Sequence, residues 1–375
     1  MLIKCHQEEL LKAVNIVSRA VATSTPIPIL TGIFITAEDS SLTLEATDME
    51  IRIRHRFSVQ VLEEGKVVIP AKHFTDLVKK LPGTTIEIGT LEDDTSIYIK
   101  YEKSQVKLLS YEIDEFPEIN EELTKPLLSM DSELLSESIR QVSIATSRDE
   151  SRPVFTGTLF NLEDDGSITM VATDSHRLAV KKIQPTLLEE DISSLEIIIP
   201  SKVLGEVGRI WGDIKEDLHI GFSESHVFFK GKDTFIYSRL IDGVFPNYKD
   251  VIPEEIKTQL LISTDLLYES LGRASLMSRG EFKGRGSIIK IKLEGNNIHI
   301  HSFSSEIGEV NETITSDKDG EDMEIAFNVK YMLDVFKVLN SEKAKIEFSG
   351  SLSPALVKPS ESNSYLYLVL PIRIQ

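Results

Sequence analysis

Asp174, Ser175 and His176 stand side by side in the run Val171–Val180 (VATDSHRLAV). These are the residue types of a hydrolytic relay, in which a carboxylate orients an imidazole that takes a hydroxyl proton. Adjacency argues against that chemistry. Relay residues meet from separate segments, and consecutive residues of a strand point to opposite faces. The Gly-x-Ser-x-Gly turn that exposes a nucleophilic serine does not occur in the chain. The run is read instead either as a strand end with a polar turn or as one wall of a docking pocket. Other reactive groupings are weaker. Gly280–Gly286 (GEFKGRG) is basic and glycine-rich but lacks the Lys-Ser/Thr ending of a phosphate loop. His299 and His301 share one strand face, which is two ligands and too few for a metal centre. Cys5 is the single cysteine, so neither a disulfide framework nor a cysteine zinc site is expected. No cofactor is implied.

The elements around the run come from a chain of 375 residues, 41% hydrophobic and 27% charged. That length supports two or three domains. No run of about 18 apolar residues is present, so no membrane span is expected. Lys4, His6, Glu8 and Glu9 interrupt the first apolar pairs, unlike a secretory signal. A cytoplasmic location is expected. The net charge of −19 disfavours a protein that grips DNA by contact alone, unless its bases are gathered on one surface.

Three tandem copies of one unit are visible. Leu2–Ala20, Leu127–Ala145 and Leu260–Ser278 each read as a short strand followed by an amphipathic helix. The apolar positions Leu10, Val14, Val17, then Leu135, Ile139, Val142, then Leu267, Leu271, Ala274 recur at helical spacing. Asp131 or Ser132, and Ser263 or Thr264, are expected N-caps. A second signal lies within each unit, where a strand stops at Pro70, Pro200 or Asn328 and turns into a helix; the offsets are 130 and 128 residues. Phe116-Pro117, Phe245-Pro246 and Leu370-Pro371 close the units, and acidic connectors Asn120–Lys125 and Pro253–Lys257 follow the first two. Domains are placed at 1–124, 125–253 and 254–375. Alternating stretches such as Ile97–Ile99, Ile288–Leu293 and Ile298–His301 read as strands in hairpins. The expected fold class is α+β: three copies of a two-helix, antiparallel-sheet domain. Such an arc closes by pairing head to tail with a second copy.

These residues carry a resemblance. The run Ala172–Ala179, the run Asp242–Tyr248 (DGVFPNY) and Phe327–Tyr331 (FNVKY), in this order on a threefold repeat, resemble the bacterial DNA polymerase sliding clamps, the beta-subunit family, over the whole chain. The resemblance implies a DNA-clamp fold and a head-to-tail homodimeric ring. Such a ring encircles double-stranded DNA without reading sequence and confers processivity without catalysis. Its implied partners are the polymerase catalytic subunit, the clamp loader, and repair and translesion polymerases, which dock through short linear motifs. The implied docking pocket comprises Phe155, Thr173, Ser175, His176, Arg177, Leu178, Pro246, Val251, Leu368, Val369, Leu370, Pro371, Ile372 and Arg373. The chain departs from the family pattern at Asp250, where some relatives carry a base, and at Gln375.

Bases toward helix ends form the expected DNA-facing set: Lys12, Lys79, Lys80 and Arg209, with Arg148, Arg152 and Lys202 matching family positions near the DNA path. Cations at helix C-termini also favour the helix dipole, so the assignment rests on the set and not on any one residue. The implied dimer contact brings Val106 and Leu108 against Leu276 and Met277. Histidine metal binding is set aside, and Trp211 is read as helix core.

Overall fold

In the computed structural model of the chain, the described residues are 1–91, 96–113, 116–117, 125–189, 194–277 and 287–373. Most of the connector 120–125, the Gly280–Gly286 run, Arg279 and Gln375 lie outside them.

The first repeat consists of β1 (Leu2–His6), α1 (Gln7–Val17), β2 (Gly32–Glu38), β3 (Ser41–Thr47), β4 (Ile51–Ser58), β5 (Gln60–Glu63), β6 (Gly65–Pro70), α2 (Ala71–Val78), β7 (Thr85–Thr90), β8 (Ser96–Tyr101) and β9 (Ser104–Leu109). The second consists of β10 (Leu128–Asp131), α3 (Ser132–Ser143), the single turn α4 (Pro153–Thr156), β11 (Gly157–Leu162), β12 (Ile168–Thr173), β13 (Arg177–Ile183), β14 (Thr186–Leu187), β15 (Leu195–Pro200), α5 (Ser201–Trp211), β16 (Asp217–Phe222), β17 (His226–Lys230) and β18 (Thr234–Arg239). The third consists of β19 (Thr258–Ser263), α6 (Thr264–Met277), β20 (Ile288–Glu294), β21 (Asn297–Ser304), β22 (Gly308–Thr315), β23 (Asp317–Gly320), β24 (Met323–Asn328), α7 (Val329–Val338), β25 (Lys343–Phe348), β26 (Ala355–Pro359) and β27 (Tyr365–Val369).

α3, α6 and α7 begin where capping side chains take over orphan backbone donors, whereas α1 and α2 start without a side-chain cap. Asp131 accepts from the Leu134 amide at 2.9 Å, and Ser263 from the Leu266 amide at 3.4 Å. Asn328 accepts from the Lys330 amide at 3.0 Å, so the strand-to-helix turn of the third repeat is capped as well. The apolar stripe of each leading helix is buried, from Leu10, Val14 and Val17 to Leu267, Leu271 and Ala274. Trp211 is fully buried, and its indole N–H donates to Glu216.

The same topology recurs in every repeat. One five-stranded array runs β5-β1-β7-β8-β9, then β14-β10-β16-β17-β18, then β23-β19-β25-β26-β27. One four-stranded array runs β4-β3-β2-β6, then β13-β12-β11-β15, then β22-β21-β20-β24. The array edges join across repeats. Antiparallel pairing of β18 with β4 merges two arrays into a nine-stranded sheet, and pairing of β13 with β27 merges two more. β9 and β22 are left as the outer strands of their sheets.

Packing therefore groups the chain into two compact bodies. One is 1–134 with 186–192 and 209–240; the other is 135–185 with 193–208 and 241–375. In the first body α1 packs on β3 and β4. In the second, α6 packs on β21, β22 and α7. No helix among the described residues is long and apolar enough to cross a membrane.

At the β4–β18 join, His55 is buried opposite Thr234, and its Nδ1 lies 2.8 Å from the Thr234 hydroxyl. Burial lowers its pKa to about 4, against an opposing pull from Asp233 and a small lowering by Lys12. The unfolded chain thus binds a proton near pH 6.5 that the folded chain refuses until about pH 4. Stability is full above pH 6.5 and falls as pH drops through that window. Thermal melts from pH 7.5 to 4.5 should show this loss, and His55→Leu should flatten the slope.

Candidate functional site

Thr173 and Asp174 build the turn that carries the Ser-His-Arg run. The Thr173 hydroxyl donates to the Arg177 carbonyl at 2.7 Å and accepts from the Ser175 amide at 3.2 Å. Asp174 Oδ1 accepts from the His176 and Arg177 amides at 3.0 and 3.1 Å, and its Oδ2 takes Arg177 Nε at 3.0 Å. Ser175 turns the corner with φ of 72°, in the left-handed region. With Asp174 committed to amides and a guanidinium, it does not orient the imidazole of His176. That ring lies against Tyr331, centroids 6.3 Å apart. The three residues form a turn and do not assemble a relay.

The first repeat builds the same turn. Thr47 donates to the Ile51 carbonyl at 2.9 Å, Asp48 accepts from the Glu50 and Ile51 amides, and Met49 has φ of 77°. Thr-Asp is a folding device common to both repeats. What differs is the side chains that the turn presents.

Arg177 ties the turn to α7. It is buried, it reaches Asp334 at 2.5 Å, and its guanidinium sits 4.3 Å from the Tyr331 ring centroid. Burial opposes its charge, but the Tyr367 hydroxyl, Asp334 and Asp174 outweigh burial and push its pKa up. Tyr367 in turn donates to the Tyr331 carbonyl at 2.9 Å. Arg177 is therefore a strut of the wall, with its Nε and one terminal nitrogen committed to carboxylates.

Above this strut opens a cavity of about 890 Å³. Phe155, Ser175, His176 and Arg177 line it, with Arg148, Arg152, Lys330 and Tyr331. Beneath the neighbouring sheet surface lies an apolar cluster of Leu159, Val171, Leu178, Ile198, Phe245, Leu356 and Leu368. Phe155 meets Phe245 edge to face at 6.5 Å. Pro246 and Val251 are exposed beside Phe245 in the chain.

The final segment divides. Leu368 and Val369 are the end of β27, buried between β13 and β26, and Val369 lies outside the apolar cluster that contains Leu368. Beyond them the Leu370 amide donates to the His176 carbonyl at 2.9 Å, and the Ile372 amide to the Ala326 carbonyl at 2.8 Å. Leu370 is exposed, Pro371 and Ile372 are half-buried, and Arg373 is exposed.

Of the basic set, Lys12, Lys79, Lys80, Arg148, Arg152, Lys202 and Arg209 are all exposed. Lys12 and Arg209 line a second cavity of about 420 Å³ with Arg19. Val106 and Leu108 are half-buried on β9, Leu276 is exposed near the end of α6, and Met277 ends that helix.

Family profiles of the DNA polymerase III beta subunit match end to end: its N-terminal domain over 1–120, its central domain over 129–247 and its C-terminal domain over 249–373. The chain belongs to the DNA polymerase III beta subunit family. It is 36% identical over 370 residues to the beta sliding clamp of Halalkalibacterium halodurans, covering 96% of each chain. To the beta sliding clamp of Bacillus subtilis it is 34% identical over 378 residues, covering 98% of each. The solved DNA polymerase sliding clamp of Bacillus subtilis superposes with a TM-score of 0.93 at 33% identity, covering both chains fully. The Streptococcus pyogenes beta subunit superposes at 0.92 with 27% identity, again over both full chains.

Within this family fold the sequence reading missed Lys330, Tyr331 and Asp334. They reach the cavity from α7, in the third repeat. Phe327–Tyr331 was read as a strand-to-helix turn and as one of the runs that carry the family resemblance, not as cavity lining. The spacing of Tyr331 and Asp334, three residues apart on one helix face, is the signal that could have marked them.

In repeat one the same turn is backed by different side chains. Counting from the turn aspartate, Arg52 stands where repeat two has Leu178. Arg52 is buried, pairs with Glu45, donates to the Pro117 carbonyl and lies 5.7 Å from the Phe116 ring centroid. An ion pair thus stands where repeat two has Leu178, in an apolar cluster with Phe245.

Arg177→Ala removes the cation between two carboxylates. It should destabilise the protein by about 3 kcal/mol in urea unfolding, the usual cost of breaking a buried pair. Tyr331→Leu removes the ring against which Arg177 and His176 lie; it should cost about 1 kcal/mol in urea unfolding, the range of a partly exposed cation–π contact, and weaken peptide docking.

Proposed function

We propose that the chain is a sliding clamp: a ring that encircles duplex DNA, tethers the replicative polymerase and performs no chemistry of its own. The observation that carries this reading is the tandem match of three beta-subunit domains on one repeated sheet topology. The repeat boundaries 1–124, 125–253 and 254–375 define its domains. It acts in the cytoplasm, where the DNA is.

Ring closure follows from the two open edges. In the topology, β9 corresponds to β18 and β27, and β22 corresponds to β4 and β13. Within the chain, Ser238 pairs with Ile51 and Val369 with Arg177. Leu108 is the counterpart of Ser238 and Val369, and Gly308 of Ile51 and Arg177. A second copy therefore sets Leu108 opposite Gly308, Lys107 opposite Glu309 and Val106 opposite Val310. Apolar side chains near these edges support the contact: Leu109 is 69% exposed, Phe303 52% and Leu276 52%. Met277 completes the apolar set.

Inside the ring, Lys12, Lys79, Lys80, Arg148, Arg152, Lys202 and Arg209 meet phosphates without reading bases, so contact is loose and salt-sensitive. Partners dock at the cavity beside Arg177 through short segments with an apolar anchor: the polymerase, the clamp loader, and repair and translesion polymerases. Phe155, Ser175 and His176 line that cavity, and the proposed docking surface extends from it over Thr173, Pro246, Val251, Leu370, Pro371, Ile372 and Arg373, with Leu178 and Leu368 in the apolar cluster beneath. Val369 contributes through its strand.

Two measurements test the parts. Lys107→Glu faces Glu309 across both contacts of a dimer. It should raise the dimer dissociation constant about tenfold, from roughly 0.7 kcal/mol at each, and Glu309→Lys in the same chain should restore it in sedimentation. Unchanged affinity would sink the register. Deleting residues 370–375, and not the β27 residues Leu368 and Val369, should abolish binding of a polymerase-derived peptide while the dimer persists. Retained binding would move the pocket elsewhere.

A further inference from the structure

The β4–β18 join presents a second face with chemistry of its own. On β18, Thr234, Ile236 and Ser238 are buried, and Phe235 and Tyr237 alternate onto the opposite face, partly exposed. Their rings stack, centroids 6.5 Å apart. Phe235 is flanked in register by Lys230 on β17 and by Arg54 on β4. Arg56 on β4 and Lys232 in the β17–β18 turn complete the surround of a cavity of about 260 Å³. Among the described residues, Lys230, Lys232 and Arg56 make no ion pair, and Arg56 Nε donates to Ser41. The negative charges nearby are Asp233, which lines the cavity, Glu216, whose carboxylate accepts from the Lys232 amide at 3.0 Å and from the Trp211 indole, and Glu45, already held by Arg52 and Arg54. A chain with net charge −19 has gathered four cations around a flat aromatic ladder.

We propose that this face binds single-stranded nucleic acid, with a base stacked on Phe235 and its flanking phosphates against Lys230, Lys232, Arg54 and Arg56. Cations on the strands either side of Phe235 lie about 10 Å apart, two strand spacings, which brackets one stacked nucleotide. Aromatic platforms between cations are how single strands are held without sequence preference. Duplex DNA has no free base face to offer the ring. An acidic peptide would meet the cations but gain nothing from the ring. The site is separate from the docking cavity and from the helix bases assigned to duplex DNA, and does not depend on either.

Fluorescence anisotropy on the full-length protein tests this with labelled (dT)12, a blunt duplex of 12 base pairs and a 12-residue glutamate peptide. Lys230→Gln with Lys232→Gln should weaken (dT)12 binding about tenfold and reduce its log–log salt slope by about 1.4, the release expected for two phosphate contacts. Phe235→Leu should weaken it about fivefold or more, the low end of one lost base stack. Phe235→Tyr, which keeps the ring and guards against loss of fold, should retain binding. Binding of the duplex should not change in any variant. Absence of (dT)12 binding in 50 mM salt, or equal binding by the variants, overturns the proposal. So does equal affinity for the glutamate peptide with no loss in Phe235→Leu, which would make the face an acidic-peptide dock.

Discussion

Antiparallel pairing of β13 with β27 is the constraint on which the wall beside the large cavity rests. β13 begins at Arg177, directly after the turn, and β27 brings Tyr367 and Leu368 alongside from the far end of the chain. The ladder fixes Leu178 opposite Leu368, so the cluster floor is assembled from two repeats at once. A slip of one residue would send Leu368 to the other face and bring Val369 in its place. Arg177 then secures the turn laterally, through Asp174 on its own repeat and Asp334 on α7. A hydrogen-bond ladder sets the register, and a buried cation locks the wall.

The same join at β4–β18 has been used differently. There the position of Leu178 is taken by Arg52, and carbon gives way to an ion pair with Glu45. One topology thus places an apolar cluster with Leu178 behind the turn at one join and the buried Arg52–Glu45 pair behind it at the other. Among the described residues it leaves β9, paired only with β8, and β22, paired only with β21, as outer strands of their sheets. Unpaired edges invite a strand, and the outermost edges of a chain of joined arrays are suited to a second copy of the same chain.

The elements were legible in the sequence because their periodicity is local. Leu10, Val14 and Val17 and their counterparts declare amphipathic helices, and Pro70, Pro200 and Asn328 mark strand-to-helix turns. Asp131 and Ser263 are the caps among the pairs considered. The joins between repeats were not legible. Nothing local in β18 or β4 announces the pairing of Phe235 with Arg54, because cross-strand register is set by the whole sheet. For the same reason the last residues read as one terminal segment, although Leu368 and Val369 are interior strand. The cavity lining was legible where one run carried it, from Ser175 to Arg177. It was hidden where α7 contributes Lys330, Tyr331 and Asp334 from about 155 residues further along, a distance that only packing closes.

The central claim is topological: the protein holds DNA by surrounding it. Loading it with a clamp loader on a nicked circular duplex, then cutting the circle once, tests that claim directly by gel filtration. A clamp remains with the circle and is lost from the linear product through its ends, and blocking both ends restores retention. Equal retention on circular and linear DNA would mean that contact, not encirclement, holds it and would contradict the account.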